Sequence, residues 1–363
     1  MKYYNSLNKI ALNKLLSNKL ACLALLVIIF FFFISIFAYQ ITPDKTPFAN
    51  SIELSIAKKN PCFEVDYILL KSLNKYKRIK KNSFFLGNTK KYDELLIKDY
   101  KLLNDTLYYH LYSNPLEKKA ISTSNLKCNN DGSYVKTRKF LLGTDKYGRD
   151  LLSRVILGTR VSFSVGFISV FISIFIGLIL GLLSGYYRGK VDIFICWLIN
   201  VVWSIPTLML VIAISLVLGK GFWQVFVAVG LTMWVEVARV TRGEVLKVSR
   251  LPYIESVKSF GLSDFKIMFK HILPNIINPI IIISAANFAT SVLLESGLSF
   301  LGIGVQPPVP SWGMIIRNHY GFIVMEKIYL SLVPGLCIVF LVLAFMILAN
   351  SLRDILDNKL ENN

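Results

Sequence analysis

The sequence predicts an all-α integral membrane protein with six transmembrane helices, and three observations predict it. Of the 363 residues, 54% are hydrophobic and the mean hydropathy is +0.54, well above an ordinary soluble domain. Several uncharged apolar runs reach about 20 residues, the length that crosses a ~30 Å hydrocarbon core. The short loops between the runs carry lysine and arginine unevenly, as membrane topology requires. The net charge of +19 would also suit a nucleic-acid binder. No zinc-finger spacing, aromatic RNA-binding signature or basic zipper accompanies it, so the sequence points to membrane lipid and away from nucleic acid.

Residues 1–19 hold Lys2, Lys9, Lys14 and Lys19 with no acid, and are expected as a cytoplasmic N-terminus. Residues 20–41 form the expected first span. The run is too long for the apolar core of a signal peptide, and no small-x-small cleavage site follows it. Residues 42–140 are polar, with 19 Lys/Arg against 10 Asp/Glu. The KYKRIKK run at 75–81 reads as a solvated face. Segments longer than about 60 residues cross the membrane largely regardless of charge. This stretch is therefore expected as an extracytoplasmic insert of mixed structure, with helical periodicity over 92–111. Cys62 and Cys128 lie in it, without a Cys-x-x-Cys or a nearby histidine pair, which argues against zinc. An oxidising compartment would permit a disulfide between them. Cys22, Cys196 and Cys337 lie in apolar runs and read as small core side chains.

Residues 141–160 are expected as an external interfacial helix. Thr144 and Asp145 are candidate caps. Leu151, Leu152, Val155 and Ile156 make an apolar face opposite Arg149, Asp150, Ser153 and Arg154. The next spans are placed at about 161–184, 191–218, 222–236, 276–295 and 328–350, with a tail at 352–363. Gly166, Gly177 and Gly181 permit close helix approach. Pro206 predicts a kink or tilt in the over-long third span. Gly219-Lys220-Gly221 reads as a tight external turn. Residues 295–313 contain three prolines and several glycines, so no continuous lipid-facing helix is expected there. Fifteen lysines and arginines fall on the side of both termini, against Lys220, Arg317 and Lys327 in the short loops opposite. That asymmetry places both termini in the cytoplasm.

Between the fourth and fifth spans, residues 239–274 predict two short amphipathic helices. Pro252 suits a first helical turn. Tyr253, Val257 and Phe260 form one apolar stripe, and Phe265, Met268, Phe269 and Ile272 form another. Gly261 suits a left-handed turn, and Ser263 with Asp264 suits the start of the second helix. Periodicity alone leaves two roles open: helices lying on the membrane surface, or a plug for a groove on a soluble partner.

Three blocks of this chain resemble the ATP-binding-cassette importer permeases of the dipeptide/oligopeptide/nickel group. The first is GTD-x-x-GRD, Ser-Arg and Gly-x-Arg-x-Ser, carried by Gly143, Thr144, Asp145, Gly148, Arg149, Asp150, Ser153, Arg154, Gly158, Arg160 and Ser162. The second is the coupling-loop signature: Ala238, Arg239, Arg242, Tyr253, Glu255, Gly261, His271 and Pro274. Here Ser256 and Val257 stand where two alanines are usual. The third is GLSFLG-x-G…PP-x-PSWG, which holds Gly302, Pro308 and Trp312 just after Glu295. The match covers residue 140 to the C-terminus and the placement of the first span; the insert lies outside it.

The resemblance implies a type I importer permease with its transmembrane domain at 158–351. It implies a second, homologous permease, two ATP-binding subunits docked on the coupling loop, and an extracytoplasmic solute-binding protein. The first and third blocks would form an external gate. Glu255 would meet a basic residue of the partner; Lys258 at i+3 is the competing pair. His271 has no second histidine nearby, so packing or a partner contact is favoured over metal ligation. Glu295, an ionisable residue at a membrane edge, points to function, with a helix cap as the competing role. The chain lacks Gly-x4-Gly-Lys-Ser/Thr. It is therefore expected to be a non-catalytic subunit that binds no cofactor or metal, with ATP and Mg on the partner subunits. The expected cargo is a di- or oligopeptide; nickel is the alternative within the group. A membrane-anchored receptor built on the insert is a different reading. An ion-coupled carrier is a third, disfavoured because the assigned spans hold essentially no charge at mid-span.

Overall fold

The computed structural model of the protein describes residues 14–71, 87–88, 92–128, 132–219 and 221–357. Lys2, Lys9, the KYKRIKK run, the Lys220 turn and the end of the tail lie outside the described residues. The first helix, α1 (Lys19–Ile36), is uncharged after its first residue, with Ser35 its one hydroxyl. Asn18 caps it by accepting from the Leu20 N–H at 3.0 Å, which satisfies one orphan donor.

The insert is an antiparallel sheet of β1 (Phe63–Leu70), β2 (Asp93–Leu103), β3 (Thr106–Leu111), β4 (Lys118–Ser122) and β5 (Val135–Phe140), in the order β4-β3-β2-β1-β5. The helical periodicity over 92–111 is overturned, because this stretch is the β2–β3 hairpin. Asn104 and Asp105 turn it with φ of 41° and 55°, the positive-φ pair that two-residue hairpins favour. Each face of the sheet carries one small buried cluster, so the neighbours Leu96 and Ile97 go to opposite cores and the alternation is masked. Ile97 packs with Ile68, Leu107, Tyr109 and Leu126. Leu96 packs with Ile56, Val65 and Phe140.

Residues 141–150 form a compact turn, and α2 (Leu151–Tyr187) follows as one helix of 37 residues. At 1.5 Å per residue it is about 55 Å long, nearly twice the hydrocarbon thickness. The separate interfacial helix expected at 141–160 does not exist: its second half is the first turns of α2. The cause is local. No proline interrupts 151–187, and Asp150, not Thr144 or Asp145, caps the helix by accepting from the Ser153 N–H at 2.9 Å.

The expected break falls between α3 (Gly189–Trp203) and α4 (Thr207–Leu218), which meet at 92° across Ser204–Pro206. Pro206 has no N–H to continue the ladder, and the residue before it avoids helical geometry. Next come α5 (Phe222–Val248), α6 (Pro252–Ser259), α7 (Leu273–Leu301), α8 (Trp312–His319) and α9 (Tyr329–Asp357). Among the described residues, five helical runs are long and apolar enough to cross a membrane: α1, α2, α5, Asp264–Leu301 and Tyr329–Ile355. The bent α3–α4 pair makes six if counted as one span. The irregular stretch starts later than expected. The helix runs through Glu295 to Leu301 and stops at Gly302, which caps it with φ 84°.

Small residues set the helix spacing. A Cβ on Gly177 would lie 2.6 Å from Val237, and one on Gly181 would lie 2.5 Å from Thr241, so α2 and α5 pack at backbone contact. Cys62 and Cys128 are not joined by a disulfide. Cys62 enters β1 beside Leu141, whereas Cys128 follows Lys127, which pairs with Leu69 at the far end of β1. Eight strand residues separate those ends by roughly 23 Å, several times the reach of a disulfide. In the folded, oxidised protein a thiol reagent should modify both cysteines without prior reduction. If neither reacts until a reductant is added, the two are bonded and the strand arrangement is wrong.

Candidate functional site

Two assemblies gather the residues singled out in the sequence, one at each end of the bundle. At one end the GTD-x-x-GRD block folds into a latch. Asp145 accepts from the Tyr147 N–H at 2.8 Å, the Arg149 N–H at 3.0 Å and the Arg149 Nε at 2.7 Å. Arg149 also donates to Asn50 at 2.9 Å. Arg154, almost wholly buried, donates to the Phe48 carbonyl at 3.4 Å. The Thr144 hydroxyl donates to the Ile56 carbonyl, and the Lys59 N–H donates to that hydroxyl at 2.9 Å. The latch thus ties the root of the insert, residues 48–60, to the head of α2. Gly148 has φ 73°, and a Cβ there would lie 1.8 Å from the Glu53 carbonyl oxygen, so only glycine fits. Gly143 shares the positive φ.

Trp312 joins this latch to the third block. Its indole donates to the Val155 carbonyl at 3.0 Å, and a Cβ on Gly158 would lie 2.7 Å from its ring. Glu295 is fully buried, with the Ser299 hydroxyl at 2.7 Å and those of Ser162 and Ser296 at 3.4 and 3.5 Å. It is not the exposed boundary residue that a simple cap would be. Gly302 leaves room for Arg317, and Pro308 is exposed in the loop between α7 and α8. Arg160 stands apart, its guanidinium 5.7 Å from the Tyr39 ring centre. His319, which sequence reasoning missed, receives the Lys146 N–H at Nε2 and lies 2.6 Å from the Ile315 carbonyl through Nδ1. Burial pushes its imidazole below the usual range.

At the other end is the element α6, the turn at Gly261, the short helix Asp264–Lys266 and the π-helical turn Ile267–Ile272 that runs into α7. Gly261 has φ 74°, as the expected turn requires. Ser263 makes no capping hydrogen bond with its side chain; Asp264 instead accepts from the Tyr186 hydroxyl at 2.7 Å. The element has two faces, and the sequence stripes divide between them. Ile254, Ile267, Met268 and Ile272 are buried against Leu182, Val245, Val248 and Ile276. Tyr253, Phe260, Phe265 and Phe269 are exposed, Phe260 at 83%. Glu255 and Ser256 lie on the exposed side. The competing Glu255–Lys258 ion pair is not formed. His271 is half-buried and offers its backbone carbonyl to Asn275 at 2.6 Å, and Asn275 also donates to the Tyr253 hydroxyl at 2.9 Å. Pro274 sits in the first turn of α7.

Arg242 and Arg239 are both engaged by side chains of this chain. Arg242 grips Asp192 in a bidentate pair at 2.6 and 2.7 Å, and Ser184 donates to the same carboxylate. Arg239 lies over the Trp203 ring at 3.2 Å. The sequence did signal Asp192, the lone acid in a short basic turn between apolar runs.

Residues 177–362 match the binding-protein-dependent transport system inner membrane component, and residues 6–55 match the N-terminal transmembrane domain of oligopeptide transport permease C. The chain belongs to this family of importer permeases. Among curated relatives, glutathione transport system permease protein GsiD of Pectobacterium atrosepticum is 39% identical over 221 residues, covering 61% of this chain and 73% of that protein. GsiD of Escherichia coli is 39% identical over 219 residues, covering 60% and 72%. Among solved structures, a chain of the MetNI methionine transporter in an inward-facing conformation matches with TM-score 0.46 at 18% identity, over 56% of this chain and 97% of that one.

Two predictions follow from this geometry. The Arg242–Asp192 pair is only partly shielded from solvent, so its coupling in an Arg242→Ala, Asp192→Ala double-mutant cycle should be about 1 kcal/mol; a value near zero makes it incidental. Burial disfavours the charged form of His319 in the fold. Its contribution is complete above the unfolded pKa of ~6.5 and is lost progressively as the pH falls below that value towards the lower folded one. Between about pH 7.5 and about pH 5.5 the melting temperature should fall further for the wild type than for His319→Asn. Equal falls contradict that assignment.

Proposed function

We propose that this permease carries a peptide-type solute inward, powered by two ATP-binding subunits that dock on the exposed aromatic face around α6. The single observation that carries this reading is the division of the coupling element. Its inner face is locked into the bundle by a cluster of buried isoleucines, each worth about 1.5–3 kcal/mol. Its outer face offers Tyr253, Phe260 and Phe265 to water, which suits a groove on a partner. The peptide class is supported by the names of the relatives and by the oligopeptide-permease match at the N-terminus.

In this reading the coupling element and both termini are cytoplasmic, and the insert and latch lie outside. A second permease completes the translocation path, and a solute-binding protein delivers the cargo to the latch end. ATP and Mg bind to the partner subunits, and the chain itself is not catalytic. ATP-driven closure of the two ATPases displaces α6, and the clamp of Arg242 on Asp192 passes that displacement to α2, α3 and α5. Only contacts that differ between the two states drive the change.

Gly261→Pro breaks the positive-φ turn, and Glu255→Lys reverses the charge of the docking face. Each should abolish uptake and reduce co-purification of the ATPase subunits, while the melting temperature of the permease changes little. Normal uptake and normal co-purification in both variants would refute the docking role.

A further inference from the structure

Glu236 belongs to none of the three family-like blocks, and the expected fourth span ended at it. In the structure α5 continues to Val248, which leaves Glu236 as the fifteenth of 27 helical residues. At 1.5 Å per residue it lies about 20 Å from either end of the helix. It is exposed and makes no ion pair or hydrogen bond among the described residues. An ionisable side chain at such a depth is costly unless it faces water and has a job.

Glu236 lines a cavity of about 140 Å³ that opens at the 92° break between α3 and α4. Trp203, Thr207, Thr232 and Thr290 share the lining. Discontinuous helices of this kind are where membrane carriers place binding sites, because the interrupted backbone must face a cavity or be buried. Arg239, one turn along α5, is the nearest candidate counter-ion in sequence. Its guanidinium is instead held over the Trp203 ring, and the two do not pair. The result is an uncompensated carboxylate, with hydroxyl acceptors around it and a fixed cation one turn away.

We propose that this cavity is a transmembrane way-station for the ammonium group of an amine-bearing solute, with Glu236 as its counter-ion. The proposal rests on the peptide reading above. An ammonium satisfies the carboxylate by a charge-assisted hydrogen bond, and the threonine hydroxyls accept hydrogen bonds from its remaining N–H groups. The solute's carboxylate end then faces Arg239. A transition metal is a poorer fit, because the lining has one carboxylate and neither histidine nor thiol.

The test uses the assembled transporter in nanodiscs, without its solute-binding protein, titrated calorimetrically with trialanine and with N-acetyl-trialanine. The wild type should bind the free amine about tenfold or more tightly than the acetylated peptide. Glu236→Gln should assemble with its partners and lose that preference, and Glu236→Asp should keep it. The proposal is overturned if the wild type shows no preference, if Glu236→Gln retains it, or if Glu236→Gln fails to assemble, which makes the residue an interface contact. Uptake of trialanine by wild-type vesicles with the binding protein present separates the two readings. Uptake without a binding preference removes the site alone. A preference without uptake leaves the site standing and removes the peptide assignment.

Discussion

The bidentate grip of Arg242 on Asp192 is the contact through which the rest of the molecule is organised. In the proposed function the permease carries force from a soluble surface to helices embedded in lipid, where a flexible joint would dissipate it. Arg242 ends the apolar part of α5, Asp192 opens α3, and Ser184 on the last turn of α2 shares the same carboxylate. Three helices therefore meet at one charged point. The isoleucine cluster beneath α6 and the Tyr186–Asp264 hydrogen bond fix the coupling element to the same point. The pair itself is partly solvated and contributes little stability. Its value is directional, because a planar guanidinium fork fixes orientation as well as distance.

The opposite end is built on another principle. There the buried carboxylates are satisfied within the chain: Asp145 by Arg149 and by backbone N–H groups, Glu295 by serine hydroxyls. Breaking such contacts leaves unpaired polar groups in a dry place, which costs more than the contacts themselves contribute. The latch end is therefore stiff, and the clamp end is the one suited to respond to a partner. The five-stranded sheet hangs from the stiff end by residues 48–60 and by the 141–150 turn, without entering the helical core.

Much of this was legible in the sequence, for reasons particular residues make plain. Long apolar runs fix the spans because hydrocarbon tolerates little else. Pro206 marked the break and Gly261 the turn, since each restricts or frees the backbone in a way no neighbour overrides. The hairpin at 92–111 does not read as strands because Leu96 and Ile97, neighbours in sequence, are both buried on opposite faces and mask the period of two, although Asn104-Asp105 carries the turn signal. The supposed interfacial helix was misread because amphipathicity does not say where a helix ends. The contacts of Arg239 with Trp203 and of Arg242 with Asp192 are not legible in the sequence, because tertiary packing alone brings those residues together. Glu236 went unweighted because its depth depends on a helix end that the hydropathy pattern set too early.

The central claim is that this chain is a gate moved by force received from a separate motor. Its most direct test is solute accumulation in sealed vesicles that hold the permease pair and the binding protein, with and without the ATP-binding subunits. The account predicts accumulation above the external concentration only when those subunits and ATP are both present. Accumulation against a gradient in their absence would contradict it.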